Sequence, residues 1–399
     1  MRSVSEPAAG GGAAIPSSRG AVPAPGSADV AALQQRFVRW QQAVAAAATV
    51  PVGRTPRALV WSRDRVRLYR YRGPAPPTYP VPLLLVYALV NKPYIFDLLP
   101  GRSFVEFMLG EGFDVHLLDW GSPGPEDRRL GLDDYALDYL RPALEQVRRQ
   151  AGGAGASVLG YCIGGTLATL YAGAVPAAPI RNLILLSAPL DFTDRGASLF
   201  ARWFDERHFD VDRLVETLGN VPAELIEVWA QMLRPVENYV GAYLSLWERL
   251  DDPAAVESWQ AMHRWVHDGV PFAGTAFRQW VVEHVRENRL VRGTCTLRGR
   301  PVRLEQIRMP VLLVVAEQDH IVPMRQTTGI VDRLGSRDRR VEVVPGGHVG
   351  LMSGRRARRE VWPKIAAWLR ARSGRPRRPA GRGEGRRGWQ ERWPVAAQS

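Results

Sequence analysis

The stretch that most constrains this chain is Val158-Leu159-Gly160-Tyr161-Cys162-Ile163-Gly164-Gly165. It reads as the end of a buried strand, a sharp turn carrying one reactive side chain, and the first turn of a helix through Thr166, Leu167 and Leu170. That is the layout of a nucleophile elbow, G-x-S-x-G, with cysteine at the serine position. Glycine at 160, 164 and 165 removes the Cβ atoms that would collide where strand and helix approach. Cys162 then stands at a helix N-terminus, where free N–H groups and the helix dipole favour a thiolate. A buried structural cysteine on a Gly-rich turn gives the same letters, so the rest of the chain has to supply a base and an acid.

Short apolar runs alternate with helical patterns on both sides of the elbow. Trp61 to Tyr71 reads as one strand, Val81 to Tyr87 as a central buried strand, and Phe113 to Gly121, Asn182 to Pro189, Pro310 to Ala316 and Arg340 to Val344 as further strands. Helical periodicity occupies Ser103 to Gly110, Leu132 to Gln150 and a last segment through Val361, Ile365 and Trp368. This rhythm predicts a mostly parallel, doubly wound α/β sheet. Residues 191–290 break it. They are helical in pattern and dense in aromatics such as Trp203, Phe204, Trp229, Trp247, Trp265 and Trp280, which predicts a helical cap inserted into the sheet domain.

Ligands of open α/β sheets sit beyond the carboxyl ends of the strands. Cys162 occupies such a position, as do Asp319 in Glu317-Gln318-Asp319-His320-Ile321-Val322-Pro323 and His348 in Pro345-Gly346-Gly347-His348-Val349-Gly350. Nucleophile, acid and histidine follow one another in the order that G-x-S-x-G enzymes use. His348 is the candidate base for the Cys162 thiol, and Asp319 the carboxylate that holds the imidazole in the right tautomer. The backbone N–H of Ile163 and one near Val90 or Asn91, in the loop after the central strand, are the candidate oxyanion donors, although Asn91 also fits a plain turn. His320 is a second candidate beside Asp319. The remaining histidines (116, 208, 263, 267 and 284) show no metal-ligand spacing, so neither a metal nor a cofactor is expected.

Composition narrows the alternatives. The net charge is +13, but eight arginines against two glutamates between positions 371 and 399 carry nearly half of that excess. A tail of this kind reads as a solvated segment rather than a specific nucleic-acid site. The two cysteines make no disulfide framework, which fits a reducing cytoplasm. The longest apolar run, Val81 to Val90, is too short for a transmembrane segment. The Ala/Gly/Pro-rich residues 1–27 lack core-forming side chains and are expected to be disordered, as is 372–399. Between them the expected units are a sheet domain in two parts, 28–190 and 291–371, with the cap at 191–290. Val30, Leu33, Phe37, Trp40 and Val44 predict a helix packed on the main domain.

From Val81 to Trp368 the chain resembles the polyhydroxyalkanoate synthases. The resemblance rests on Val86-Tyr87-Ala88-Leu89-Val90-Asn91-Lys92-Pro93-Tyr94, Leu118-Asp119-Trp120-Gly121, the elbow, Asn288-Arg289-Leu290-Val291 with Gly293, Asp319-His320-Ile321-Val322-Pro323 and Gly346-Gly347-His348-Val349-Gly350. Asp212-Arg213-Leu214-Val215 and Thr217-Leu218-Gly219-Asn220 look like the short, two-subunit class III type or the related class IV. The resemblance implies an α/β-hydrolase fold. It also implies acyl transfer from a 3-hydroxyacyl-CoA to a growing polyester chain held on Cys162, with CoA released and no cofactor consumed. Asp319 and His348 would activate both the thiol and the incoming hydroxyl. A homodimer, a second synthase subunit and a granule surface as the place of work belong to the same expectation, with the subunit contacts left open by the terminal extensions. A cysteine thioesterase or lactone hydrolase of the same fold is the rival reading, and an idle granule- or nucleic-acid-binding protein a more distant one.

Overall fold

The computed structural model describes residues 27–375, apart from residue 355. Eight strands form one sheet: β1 (Arg57–Arg63), β2 (Val66–Tyr71), β3 (Leu83–Val86), β4 (Val115–Asp119), β5 (Ala156–Tyr161), β6 (Ile180–Leu186), β9 (Val311–Ala316) and β10 (Arg339–Val344). A separate two-stranded hairpin, β7 (Thr296–Leu297) and β8 (Arg300–Pro301), lies between β6 and β9 in the chain. The order across the large sheet is β1-β2-β4-β3-β5-β6-β9-β10. β1 and β2 run antiparallel to their neighbours, and the strands from β4 to β10 are parallel.

The parallel strands are apolar runs because helices cover both of their faces. Leu83, Leu84, Leu85 and Val86 of β3 are completely buried, as are nearly all side chains of β5 and β9. Each buried leucine stabilises the fold by about 2 kcal/mol relative to an exposed one. β10 closes the sheet as an edge strand, and its outer residues are exposed. From β3 the chain crosses to β4 on one side and returns to β5 on the other. The loops after β3 and β5 therefore diverge at the switch point, where such sheets open a crevice.

Three expectations change. The single strand read over Trp61 to Tyr71 is a hairpin of β1 and β2, turned at Asp64 with φ 52°. Alternation of apolar and basic residues continues through both strands and hides the turn, which an aspartate tolerates in the left-handed region. The N-terminal helix, Ser27–Ala46, forms, but it lies on the inserted helices instead of the sheet. Its Trp40 indole donates to the Tyr243 carbonyl at 3.3 Å, Arg36 and Arg39 pair with Asp251, and the Gln260 amide donates to the Ala43 carbonyl at 2.8 Å. Val30, Leu33 and Phe37, assigned by spacing to a packed face, are exposed. The disorder expected at both termini falls on residues outside those described, except that Ser27 begins the helix and residues 372–375 are described, with Ser373 buried. The Arg372 guanidinium pairs with Asp338 at 2.8 Å and lies over the Trp368 ring.

Between β6 and β9 the described chain is helical apart from the β7–β8 hairpin. It is stitched to the loop after β3. The Val270 N–H donates to the Val90 carbonyl at 3.0 Å, and the Trp265 indole donates to the Lys92 carbonyl at 2.9 Å. Its own interior is aromatic, with Phe204 against Trp229 at 5.3 Å and Trp229 stacked on Phe277 at 5.9 Å.

Candidate active site

The elbow has the backbone its sequence calls for. β5 ends at Tyr161, Cys162 takes φ 56° and ψ −132°, and the helix Ile163–Ala174 begins at once. A non-glycine residue held there stores roughly 1–3 kcal/mol of strain, and the surrounding packing maintains it. A Cβ on Gly164 would collide with the Val86 carbonyl oxygen, and one on Gly160 with the Gly165 backbone. Strand β3, strand β5 and the helix meet here with no room for a methyl group. Ile163 is the first residue of the helix, where a backbone N–H has no intrahelical acceptor.

Asp319 follows β9 and His348 follows β10, and the parallel pairing of these two strands brings their ends together. The His348 Nδ1–H donates to Asp319 Oδ2 at 2.7 Å. The other carboxylate oxygen accepts the Ile321 N–H at 3.0 Å and the Val322 N–H at 2.8 Å. Burial opposes the carboxylate charge, but the His348 charge, its hydrogen bond and the Val322 N–H hold Asp319 below its ordinary value. Burial likewise opposes a charged imidazole. The charges of Asp319 and Cys162, with hydrogen bonds to both, outweigh it and push His348 up to about 10. Both neighbours thus favour the imidazolium form, so a proton taken from the Cys162 thiol is held on His348.

Cys162, Asp319 and His348 are thus brought together, as the sequence pattern expects. Asn91 borders the cavity, makes an isolated antiparallel bridge with Gly269 and donates its side-chain amide to the Trp265 carbonyl at 3.4 Å. The inserted segment therefore fixes the backbone of the candidate oxyanion loop. His320 also faces the cavity, with its Nδ1 buried and unpartnered among the described residues. Burial and the nearby Arg234 charge lower its basicity.

Sequence reasoning passed over Tyr161, the variable residue of the elbow. Its hydroxyl donates to the His348 carbonyl at 2.9 Å, and its ring stacks on the imidazole at 5.0 Å. Burial pushes the phenol well above its ordinary value, which keeps the hydroxyl a donor. Alternation along β5 puts Tyr161 on the face of Leu159 and opposite Gly160, so in the sequence it reads only as one more buried strand residue.

Cys162, His348 and His320 open into a cavity of about 440 Å³. Its walls are mostly apolar and come largely from the inserted segment, including Phe204, Trp229, Phe272 and Phe277.

The comparisons with known proteins agree with this geometry. A family model described as the alpha/beta hydrolase fold matches residues 82–354. With the sheet order and the elbow, that defines the class: an α/β-hydrolase-fold protein. A second model, the N-terminus of poly-beta-hydroxybutyrate polymerase (PhaC), matches residues 29–108 and carries the likeness upstream of Val81. The poly(3-hydroxyalkanoate) polymerase subunit PhaC of Haloferax mediterranei is 38% identical over 326 residues, covering 81% of this chain and 65% of that one. The protein of the same name from Allochromatium vinosum is 36% identical over 328 residues, covering 82% and 91%. The chain belongs to the poly(3-hydroxyalkanoate) polymerase family.

Proposed function

We propose that this chain is an acyltransferase that builds a polyester from 3-hydroxyacyl-CoA, with the growing chain carried as a thioester on Cys162. The observation that supports this most directly is the Cys162 elbow facing the His348–Asp319 pair inside an apolar cavity.

In the first half-reaction His348 takes the Cys162 proton, and Sγ attacks the thioester carbonyl. The C–S bond to CoA breaks, and CoA leaves as a thiol with the proton returned by His348. Thiolate and leaving group are alike in strength, so the acyl group remains activated on the enzyme. In the second half-reaction His348 removes the proton of a 3-hydroxyl group, whose oxygen attacks the acyl carbon. The hydroxyl belongs to an incoming 3-hydroxyacyl-CoA: an ester bond forms, the Cys162–acyl bond breaks and the thiolate recovers the proton from His348. The extended chain, still a CoA thioester, then acylates Cys162 again and releases CoA. The Ile163 N–H and the backbone at Asn91 are the proposed oxyanion donors. Apolar walls disfavour water as the competing nucleophile.

The same reading takes residues 28–190 and 291–371 as the catalytic domain and 191–290 as its cap. It places the protein, as a homodimer, on polyester granules in the cytoplasm, with a second synthase subunit as a further partner. No described helix is long and apolar enough to cross a membrane.

Incubation with 3-hydroxybutyryl-CoA, followed by CoA release and product mass together, tests the proposal. CoA release coupled to ester polymer, lost in Cys162→Ala, is expected. CoA release with only free 3-hydroxybutyrate would instead identify a thioesterase.

A further inference from the structure

Met232, Val236, Val240 and Leu244 recur every fourth residue on and just before the helical run Val236–Gly241 and Ala242–Glu248. That spacing puts Val236, Val240 and Leu244 roughly along one side of the run, while Met232 ends the preceding helix, Ala223–Gln231, just before it. Their exposures are 48%, 69%, 51% and 55%. Single exposed apolar side chains are ordinary, whereas three along one side of a helical run, with a fourth just before it, mark a surface that meets something apolar.

The row starts at the mouth of the catalytic cavity. Gln231 and Asn238, on either side of Met232 and Val236 in the chain, line that cavity. The Asn238 amide donates to the Gln231 carbonyl at 2.9 Å and so ties the rim together. The cavity lining and the exposed row are therefore neighbours in the chain, joined at the polar rim residues Gln231 and Asn238.

Product chemistry selects the occupant. Each cycle of the reaction proposed above adds one unit to a chain anchored on Cys162, and a cavity of about 440 Å³ holds only a few such units. The polymer has to leave while still attached. Its repeating ester backbone has no charge and no hydrogen-bond donor, so an apolar surface suits it better than water. The polyanionic CoA gains nothing from such a surface.

We propose that the nascent polyester leaves the cavity over the Met232–Val236–Val240–Leu244 row. This rests on the polymerase reading.

The test uses the full chain with 3-hydroxybutyryl-CoA and the pair Val236→Glu/Val240→Glu, with Val343→Glu on β10 as a control at another exposed apolar position. CoA released in the first turnovers should stay within about twofold of wild type, while mean polymer mass falls about threefold or more, because charge on the path disfavours the apolar chain. The pair Val236→Ser/Val240→Ser should act in the same direction, and its folding, followed by circular dichroism, keeps the test open if the glutamate pair does not fold. Unchanged polymer mass in folded variants overturns the proposal. So does unchanged mass with an altered oligomeric state by light scattering, which would assign the row to contact between copies of the chain. Wild-type protein that releases CoA without polymer overturns the polymerase reading itself, before any variant is compared.

Discussion

Tyr161 holds His348 twice, through the 2.9 Å hydrogen bond from its hydroxyl to the His348 carbonyl and through a ring stack at 5.0 Å. The residue before the proposed nucleophile therefore positions the proposed base. Tyr161→Phe keeps the stack and removes one of two hydrogen bonds to the His348 carbonyl, which still accepts the Leu351 N–H at 3.2 Å, and should cost about 1 kcal/mol. Tyr161→Ala removes both and should cost about 3–5 kcal/mol. Urea unfolding measures each loss. If the tyrosine positions the base, elongation in the folded phenylalanine variant falls in kcat with KM little changed.

The two cysteines should separate cleanly. Cys162 is partly exposed to the cavity, whereas Cys295 is buried and burial pushes its thiol up to about 12. Iodoacetamide near pH 8 should modify Cys162 and spare Cys295 in the folded protein, as peptide mass mapping would reveal. Cys162→Ala should abolish turnover. Cys295→Ser should retain most of it, and comparable losses from both would point to the wrong thiol.

Asp319→Asn should divide the reaction. Ionising a thiol asks less of His348 than deprotonating an alcohol does. A burst of CoA from the first acylation should persist, while elongation slows much more. Equal slowing of both would leave Asp319 a plain orienting group.

The same pair has a pH signature in stability. His348 stands at about 10 in the folded protein, above its ordinary 6.5, so its protonation favours the fold. That contribution is complete below pH 6.5 and is lost as pH rises through about 10. The excess stability of wild type over Asp319→Asn should therefore be largest near pH 6 and shrink toward pH 10. Unfolding midpoints across that range provide the check, and a constant difference would contradict it.

Gly164→Ala tests the close approach of strand and helix. The added Cβ meets the Val86 carbonyl oxygen, a backbone atom with no rotamer to escape into. A loss of about 1–3 kcal/mol is expected from overpacking, with turnover falling further than stability because the elbow itself shifts. Thermal unfolding beside activity per folded molecule separates the two.

Much of this arrangement was legible from the chain because it depends on local chemistry. Gly160, Gly164 and Gly165 announce the elbow, and continuous apolar runs such as Leu83–Val86 announce strands buried on both faces. What was hidden depends on partners distant in sequence. Val30, Leu33 and Phe37 have helical spacing, but spacing does not say which surface a helix meets, or whether it meets one. Asn91 reads as a turn residue until Gly269 and Trp265 are seen beside it. Tyr161 reads as filler until β10 delivers the His348 carbonyl to its hydroxyl.

The attachment of the N-terminal helix makes it a lever arm. Downstream of the helix the chain is anchored in the sheet domain, where the Thr55 hydroxyl and N–H both bind the buried Asp97 carboxylate at 2.6 and 3.0 Å. Upstream it grips the inserted segment through Asp251, Tyr243 and Gln260. Any displacement of that segment must drag the helix along, pivoting between Val50, whose carbonyl accepts the Arg264 guanidinium at 2.6 Å, and Gly53, whose N–H donates to the Asp97 carbonyl at 2.9 Å, or else break these bonds. The Arg36 and Arg39 pairs with Asp251 lie at the surface, so salt weakens that grip while leaving the Thr55 anchor untouched. Ionic strength thus acts on one end of the lever alone, and a fluorophore at the start of the helix would register movement over the catalytic cavity from far outside it.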